Sequence, residues 1–501
     1  MEIRIDTRPA RKAGAEALVL LCAKGDPIAR AAGALGTAYA APVAALVARK
    51  LFEAGAGQAR AVVGARGAGV GTLVLVGLGD PSKAGAEGLK RAMAAGLRVA
   101  GDHGARRVAV AFAKGLPRGT SAERAGRALG EAACMSLYRW EGYRTQKSKV
   151  AVEAVALLVS AREAGAARRG LSEGRALGEA VCFTRDLGNE PPNVATPRWI
   201  GDRAQEMARA EGLQCTILEK DEMERLGMGS LLGVARGSAQ APRLVVLTYV
   251  PAGRPKAPAV ALVGKGITFD TGGISIKPAA KMEDMKFDMC GGGAVLGAML
   301  AIARLKPAVR VSGLVPLVEN MPDGNAYKPG DILKAMNGVT IEVKNTDAEG
   351  RLILADALAY AAKHLTPRPQ ALVDIATLTG ACVVALGDQY AAVLGHDDVC
   401  GRLLAASEAS GDPLWRLPLN DGYRSQIESV FADVSNLGGP GGGVQTGAAF
   451  LEKFVDGLPW AHLDIAGLAW TERDAGLYRK GATGYGVRLL VEAVRGWARG
   501  R

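Results

Sequence analysis

At 501 residues the chain is too long for a single ordinary core, so two or more domains are expected. Its composition, 49% hydrophobic and 22% charged, excludes a disordered or fibrous chain, and no run of about 18 apolar residues marks a membrane span. The net charge of +12 lies early: residues 1–170 hold 27 Lys and Arg against 13 Asp and Glu, and residues 171–501 hold 35 against 37.

A basic surface that keeps the protein soluble fits that asymmetry, and so does a patch facing nucleic acid. The basic residues are scattered, without aromatic interleaving or a helix-turn-helix signature. Arg4, Arg8, Arg11 and Lys12 precede an apolar run at 15–23, which could be misread as a signal peptide. Glu16 interrupts the run and Lys24, Gly25 and Asp26 stand where a cleavage site should lie, so a strand is expected. Seven cysteines, with no C-x-x-C pair, point to reduced thiols in a cytoplasmic enzyme. His103, His364, His396 and His462 do not pair at metal-ligand spacing, which argues against an H-E-x-x-H site and for one built from carboxylates.

Residues 1–160 alternate strand-like runs (18–22, 61–63, 72–76, 108–112, 150–159) with helical ones (38–53, 84–100, 121–137), as in an α/β domain. Gly77 and Gly79 form a G-x-G after a strand, but the full G-x-G-x-x-G pattern is missing. Residues 161–187 form an amphipathic connector helix, broken by Pro191 and Pro192. From 188 to 501 the α/β alternation resumes. A helix at 196–211 is followed by strands at 214–218, 244–249 and 259–263. A helix opens at Cys290 and runs to about 305, and strands follow at 309–318, 371–375 and 460–465. A helix covers 352–365, and residues 436–447 (NLGGPGGGVQTG) form a long glycine-rich loop, a connector or the lining of a cleft or subunit contact.

Two runs carry the chemistry: residues 263–277 (VGKGITFDTGGISIK) and 345–352 (NTDAEGRL), with Asp288 between them. They supply four carboxylates (Asp270, Asp288, Asp347, Glu349) and three cations (Lys265, Lys277, Arg351). Four gathered carboxylates repel one another unless a positive charge holds them. Two divalent ions offset that charge, and carboxylate oxygens suit Mg, Mn and Zn; bridged ions in two-metal hydrolases lie roughly 3.5–4 Å apart. Residues 265–270 follow a short buried strand, and Asp347, Glu349 and Arg351 stand just before a helix N-terminus, both favoured places for ligands and anions.

These two runs, in residue type and separation, resemble the two signatures of the leucyl aminopeptidase (cytosol aminopeptidase) family of bacterial two-metal exopeptidases. The resemblance extends from about Arg185 to the C-terminus and is weaker over the first 170 residues. It implies a macrodomain-like N-terminal α/β domain and a larger C-terminal α/β catalytic domain with a central mixed sheet. By the same resemblance Lys265, Asp270, Asp288 and Glu349 would hold one divalent ion. Asp270, Asp347 (side chain and main-chain carbonyl) and Glu349 would hold the second. A metal-bridged water would attack the first peptide bond. Lys277 would stabilise the developing anion, and Arg351 would anchor a bicarbonate as general base. Met285, Thr377, Gly380, Ala466 and Ala469 match the family's apolar pocket for a leucine-sized first residue.

The resemblance further implies a cytoplasmic homohexamer acting on peptides, and some bacterial relatives also bind DNA. The expected cofactors are two divalent ions per subunit, Mn first among Mn, Zn, Mg and Co. A DNA-binding or regulatory role through residues 1–160 and a metallophosphatase using the same acids stand as competing readings.

Overall fold

The computed structural model describes residues 1–64, 70–80, 85–146, 152–474 and 476–499. The chain divides into two compact α/β units, Met1–Cys182 with Arg473–Lys480, and Phe183–Glu472 with Gly481–Arg501. The helix Ala164–Asn189 runs from the first into the second and stops just before the two prolines.

The first unit is built on a six-stranded sheet in the order Glu2–Asp6, Ala154–Leu158, Arg107–Phe112, Ala17–Ala23, Thr72–Gly79, Ala59–Val63. All neighbours are parallel except the last pair. Ala17–Ala23 and Thr72–Gly79 are buried along their whole length. This is why their apolar runs are continuous rather than alternating. The strand expected in the apolar run at 15–23 is thus present as Ala17–Ala23, in the interior of this sheet. Gly77 and Gly79 stay within their strand. Residues 84 and 150–151 of the expected elements lie outside the described residues; the helix begins at Ala86 and the last strand at Ala154.

The second unit has a nine-stranded mixed sheet. Four parallel strands form its centre: Trp460–Asp464, Ala371–Ala376, Ala259–Gly264 and Arg310–Asn320. Such strands need crossover helices on both faces, and their carboxyl ends are where ligands gather. Asp464, Ala376, Gly264 and Asn320 are those ends.

Beyond Ala259–Gly264 a further strand, Gly266–Asp270, lies beside Arg310–Asn320, from Gly266 opposite Leu317 to Asp270 opposite Asn320. Two sequence expectations change here. The glycine-rich run 436–447 is only partly a loop. Gly443–Glu452 is a helix, because Val444, Ala448 and Leu451 share a buried face, with Ala449 and Phe450 buried beside it, and this burial outweighs glycine's poor propensity. The helix expected from 352 starts at Gly350, with Glu349 as its N-cap residue and Arg351 in its first turn.

The segment Met282–Leu305 is long and apolar enough to span a membrane by composition alone, but 89% of it is buried within the protein. Its helical part, Cys290–Leu305, lies across the central strands at very short range. A Cβ on Gly291 would fall 2.2 Å from the carbonyl oxygen of Ile375, so only glycine allows this approach. Gly291→Ala is expected to destabilise the catalytic unit by about 1–3 kcal/mol through overpacking, read as a lower urea midpoint by circular dichroism.

Candidate metal centre

Each charged side chain of the centre is placed by a backbone feature. Lys265 interrupts the strand pairing: its N–H donates to Ile375 (3.0 Å) and its carbonyl accepts from Gly292 (2.6 Å). Asp270 ends its strand, and the chain then turns back so that the Lys277 N–H donates to the Thr271 carbonyl at 2.9 Å. Gly272 and Gly273 make that turn with φ of 87° and 65°, the left-handed region that glycine tolerates. Asp288 lies in the 3₁₀ turn Met282–Met289, immediately ahead of Cys290–Leu305. Asp347 lies in the turn before Glu349, its N–H donating to Asn345 Oδ1 at 2.7 Å.

The structure brings all seven expected residues into one region. Lys265 Nζ is 2.8 Å from Asp288 Oδ1 and 2.9 Å from Glu349 Oε1, and it donates to the Thr377 carbonyl at 2.9 Å. Lys277 Nζ is 2.9 Å from Asp270 Oδ2 and 2.5 Å from Asp347 Oδ1. Asp270, Asp347 and Glu349 each offer an oxygen, and these lie within 4.8 Å of one another. Arg351 is buried and its Nη1 donates to the Asn436 carbonyl at 2.9 Å.

Four carboxylates face two ammonium groups in a buried space, so negative charge is in excess. Burial raises the Asp288 and Glu349 carboxyls above their ordinary range; Lys265 opposes the shift and the Asp270 carboxylate adds to it. Asp347 is raised for the same first reason, burial, with Asp270 adding. Burial alone would lower Lys265 and Lys277. The carboxylates, led by Asp288 for Lys265 and by Asp270 for Lys277, more than reverse this and hold both lysines charged. Burial brings the Arg351 guanidinium down to about 10 despite Glu349 and Asp464.

Two buried oxygens, Asp288 Oδ2 and Glu349 Oε2, have no hydrogen-bond partner. Unpaired buried acceptors are costly and rare. Excess charge, unpartnered oxygens and three converging carboxylates together make a donor set suited to a divalent cation.

The expected pocket residues are more dispersed in environment. Thr377 is buried and its Oγ1 donates to Asp288 Oδ1 at 2.7 Å. Met285 and Ala466 are half-buried, Gly380 is exposed, and Ala469 is buried.

Several participants escaped the sequence reading. Asn320 and Tyr327 contact the loops that carry the acids. Asn436 braces the 345–348 turn, its Nδ2 donating to the Asn345 carbonyl at 2.7 Å. A buried pair, His462 Nδ1 and Asp374 Oδ1 at 2.6 Å, crosses adjacent strands. The one available signal was a polar residue at the end of an apolar strand, which both Asn320 and Asp464 satisfy.

Residues 182–491 match the model of the cytosol aminopeptidase family, catalytic domain, and residues 19–147 match that of its N-terminal domain. The chain belongs to the cytosol aminopeptidase family. A probable cytosol aminopeptidase of Solibacter usitatus is 43% identical over 99% of this chain and 100% of its own length. One from Geobacter sulfurreducens is 46% identical, with 85% of each chain covered. Among solved structures, the bottromycin maturation enzyme BotP in complex with Mn superposes with a TM-score of 0.86 at 37% identity, covering 97% of this chain and 100% of BotP. A mutant of tomato leucine aminopeptidase gives 0.87 at 32% identity, covering 99% and 96%. This member of the cytosol aminopeptidase family is therefore a peptidase of the hydrolase class, with an acidic cluster suited to metal.

Mn²⁺ is expected to raise the unfolding temperature of the full chain, by the equivalent of about 2.7 kcal/mol at a hundredfold excess over Kd. Glu349→Ala is expected to remove most of that gain in differential scanning calorimetry.

Proposed function

We propose that this cytosol aminopeptidase is a two-metal enzyme that removes the N-terminal residue, leucine-like by preference, from peptides in the cytoplasm. The observation that carries the reading is the buried excess of negative charge with two unpartnered carboxylate oxygens. Lys265, Asp270, Asp288 and Glu349 would hold one ion. Asp270, Asp347 (side chain and main-chain carbonyl) and Glu349 would hold the other. When bound, the ions supply Lewis acidity and a bridging water of lowered pKa, the nucleophile of this reaction class. Mn is the first choice, given BotP, with Zn, Mg and Co suited to the same donors.

The chain's own groups divide the remaining work. A free α-amine on the substrate would be a ligand for one ion, which an internal amide nitrogen is not, so the site would favour the N-terminal residue. Lys277, partly exposed and held by Asp270 and Asp347, is the ammonium that meets the negative charge developing on the scissile carbonyl oxygen. The Nε of Arg351 is buried without a partner. That free donor supports the holding of an anion beside the reacting bond, and bicarbonate is the anion proposed as proton acceptor. Met285, Thr377, Gly380, Ala466 and Ala469 are proposed to line the first side-chain pocket.

The second unit also exposes large apolar side chains, Val384 at 89%, Val430 at 92% and Phe431 at 77%. This supports self-association, proposed as a homohexamer. Several basic residues of the first unit are held in local pairs, Arg8 with Asp6, Arg106 with Glu153 and Arg107 with Glu16, and residues 19–147 match the N-terminal domain of a peptidase family. A DNA-binding reading is therefore not carried forward.

With Mn²⁺ present the protein is expected to hydrolyse leucine p-nitroanilide and not p-nitrophenyl phosphate. Glu349→Ala should abolish the activity. Lys277→Ala should lower kcat by about 100- to 1,000-fold with a smaller change in KM. Phosphate-ester hydrolysis in place of anilide hydrolysis would overturn the proposal.

A further inference from the structure

We infer that Asn320 is a positioning residue for the metal centre. Its side-chain amide selects which oxygen of Asp270 faces the site and ties that carboxylate to the loop carrying Asp347 and Glu349. The inference rests on the two-metal reading above.

Asn320 ends the strand Arg310–Asn320 and lies opposite Asp270 in register. It is fully buried. Its carbonyl accepts from the Thr271 N–H at 3.0 Å and from Thr271 Oγ1 at 2.8 Å, so its backbone is anchored to the turn that follows Asp270. The side-chain amide has two N–H donors, and both are used. One goes to Asp270 Oδ1 at 2.8 Å and the other to the Thr346 carbonyl at 3.0 Å. Neither partner can donate, so the amide has one workable orientation.

That bridge has a consequence for Asp270. Its Oδ1 also accepts from the Gly272 N–H at 2.9 Å. Two N–H donors hold Oδ1 on the protein side, and Oδ2 is the oxygen left facing cationic charge, now 2.9 Å from Lys277 Nζ. Without the Asn320 amide, Asp270 keeps one neutral donor and loses the restraint on its rotation.

The second half of the bridge reaches the opposite loop. The Thr346 carbonyl also accepts from Tyr327 Oη at 2.7 Å. Thr346 Oγ1 donates to the Gly272 carbonyl at 2.6 Å and accepts from the Ser275 N–H at 2.8 Å. Thr346 and Tyr327 are fully buried too. The two ligand-bearing loops are thus joined through a dry polar lattice with Asn320 at its crossing. The Oδ1 of Asn320 has no partner, and a Cβ on Gly273 would approach it to 2.9 Å. A buried acceptor is left unsatisfied so that the two donors can be placed. Such costs persist where function requires them.

Metal binding separates this role from simple bracing. Mn²⁺ titration of the full chain by calorimetry is compared for wild type, Asn320→Leu, Asn320→Ser and Tyr327→Phe, with the metal-free unfolding temperature of each measured in parallel. Partners behind metal ligands typically contribute 10- to 100-fold in affinity. Asn320→Leu and Asn320→Ser are expected to weaken Mn²⁺ binding by about that factor. Tyr327→Phe, which removes a bond to Thr346 without touching Asp270, should lower metal-free stability and leave the affinity close to wild type. If Asn320→Leu does not fold, Asn320→Ser decides. Folded Asn320 variants with wild-type Mn²⁺ affinity overturn the inference alone. A wild-type chain that binds no Mn²⁺ overturns the two-metal reading and this inference with it.

Discussion

The catalytic unit is arranged around buried negative charge that its own cations do not cancel. Four carboxylates converge, and Lys265 and Lys277 answer only two of them. A chain tolerates this only if the backbone helps, because burying an ion costs several kcal/mol even after relaxation. Two helices supply that help. Glu349 precedes Gly350–His364 directly, and Asp288 lies two residues before Cys290–Leu305. Both acids therefore face the positive end of a helix dipole. Asp270 has no helix behind it and instead accepts from the Gly272 N–H and the Asn320 amide. Those three acids thus have different neutral supports, whereas Asp347 relies on the Lys277 ammonium.

Glycine placement follows from the same requirement. To bring Lys265 beneath Asp288 and Glu349, a helix and a strand must approach more closely than side chains allow. Cβ atoms on Gly291 and Gly350 would lie 2.2 Å from the Ile375 carbonyl and 2.7 Å from Lys265 Nζ. The glycines near the site are thus not signs of a loose loop. They are positions where backbone replaces side chain so that a lysine can be buried among acids.

This explains what could be read from the sequence. The acids, lysines and arginine were legible because they lie in two short runs beside recognisable strand and helix ends, where local pattern and chemistry agree. Asn320, Tyr327 and Thr346 were not, because their value lies in contacts with residues up to 74 positions away, as between Thr346 and Gly272. Gly443–Glu452 was misread because glycine content hid the buried apolar face that stabilises it. The strand Gly266–Asp270 is not marked by local pattern either, because Lys265 breaks the strand before it and nothing nearby indicates that pairing resumes opposite Leu317. Nor could local pattern show that Arg473–Lys480 belongs with the first unit.

A second buried polar layer lies behind the acids, and it has a mechanical reason to exist. Asp374 accepts from Trp460 Nε1 at 2.7 Å and pairs with His462 Nδ1 at 2.6 Å. Burial lowers the His462 pKa, but the neighbouring Asp374 and Asp464 carboxylates together more than offset it, so the net shift is upward. One pleat further along the same strand, Asp464 accepts from Thr379 Oγ1 at 2.7 Å and from the N–H groups of Leu378 and Ala466. These bonds fix the turn after Ala371–Ala376 at the point where Thr377 offers its carbonyl to Lys265 and its hydroxyl to Asp288.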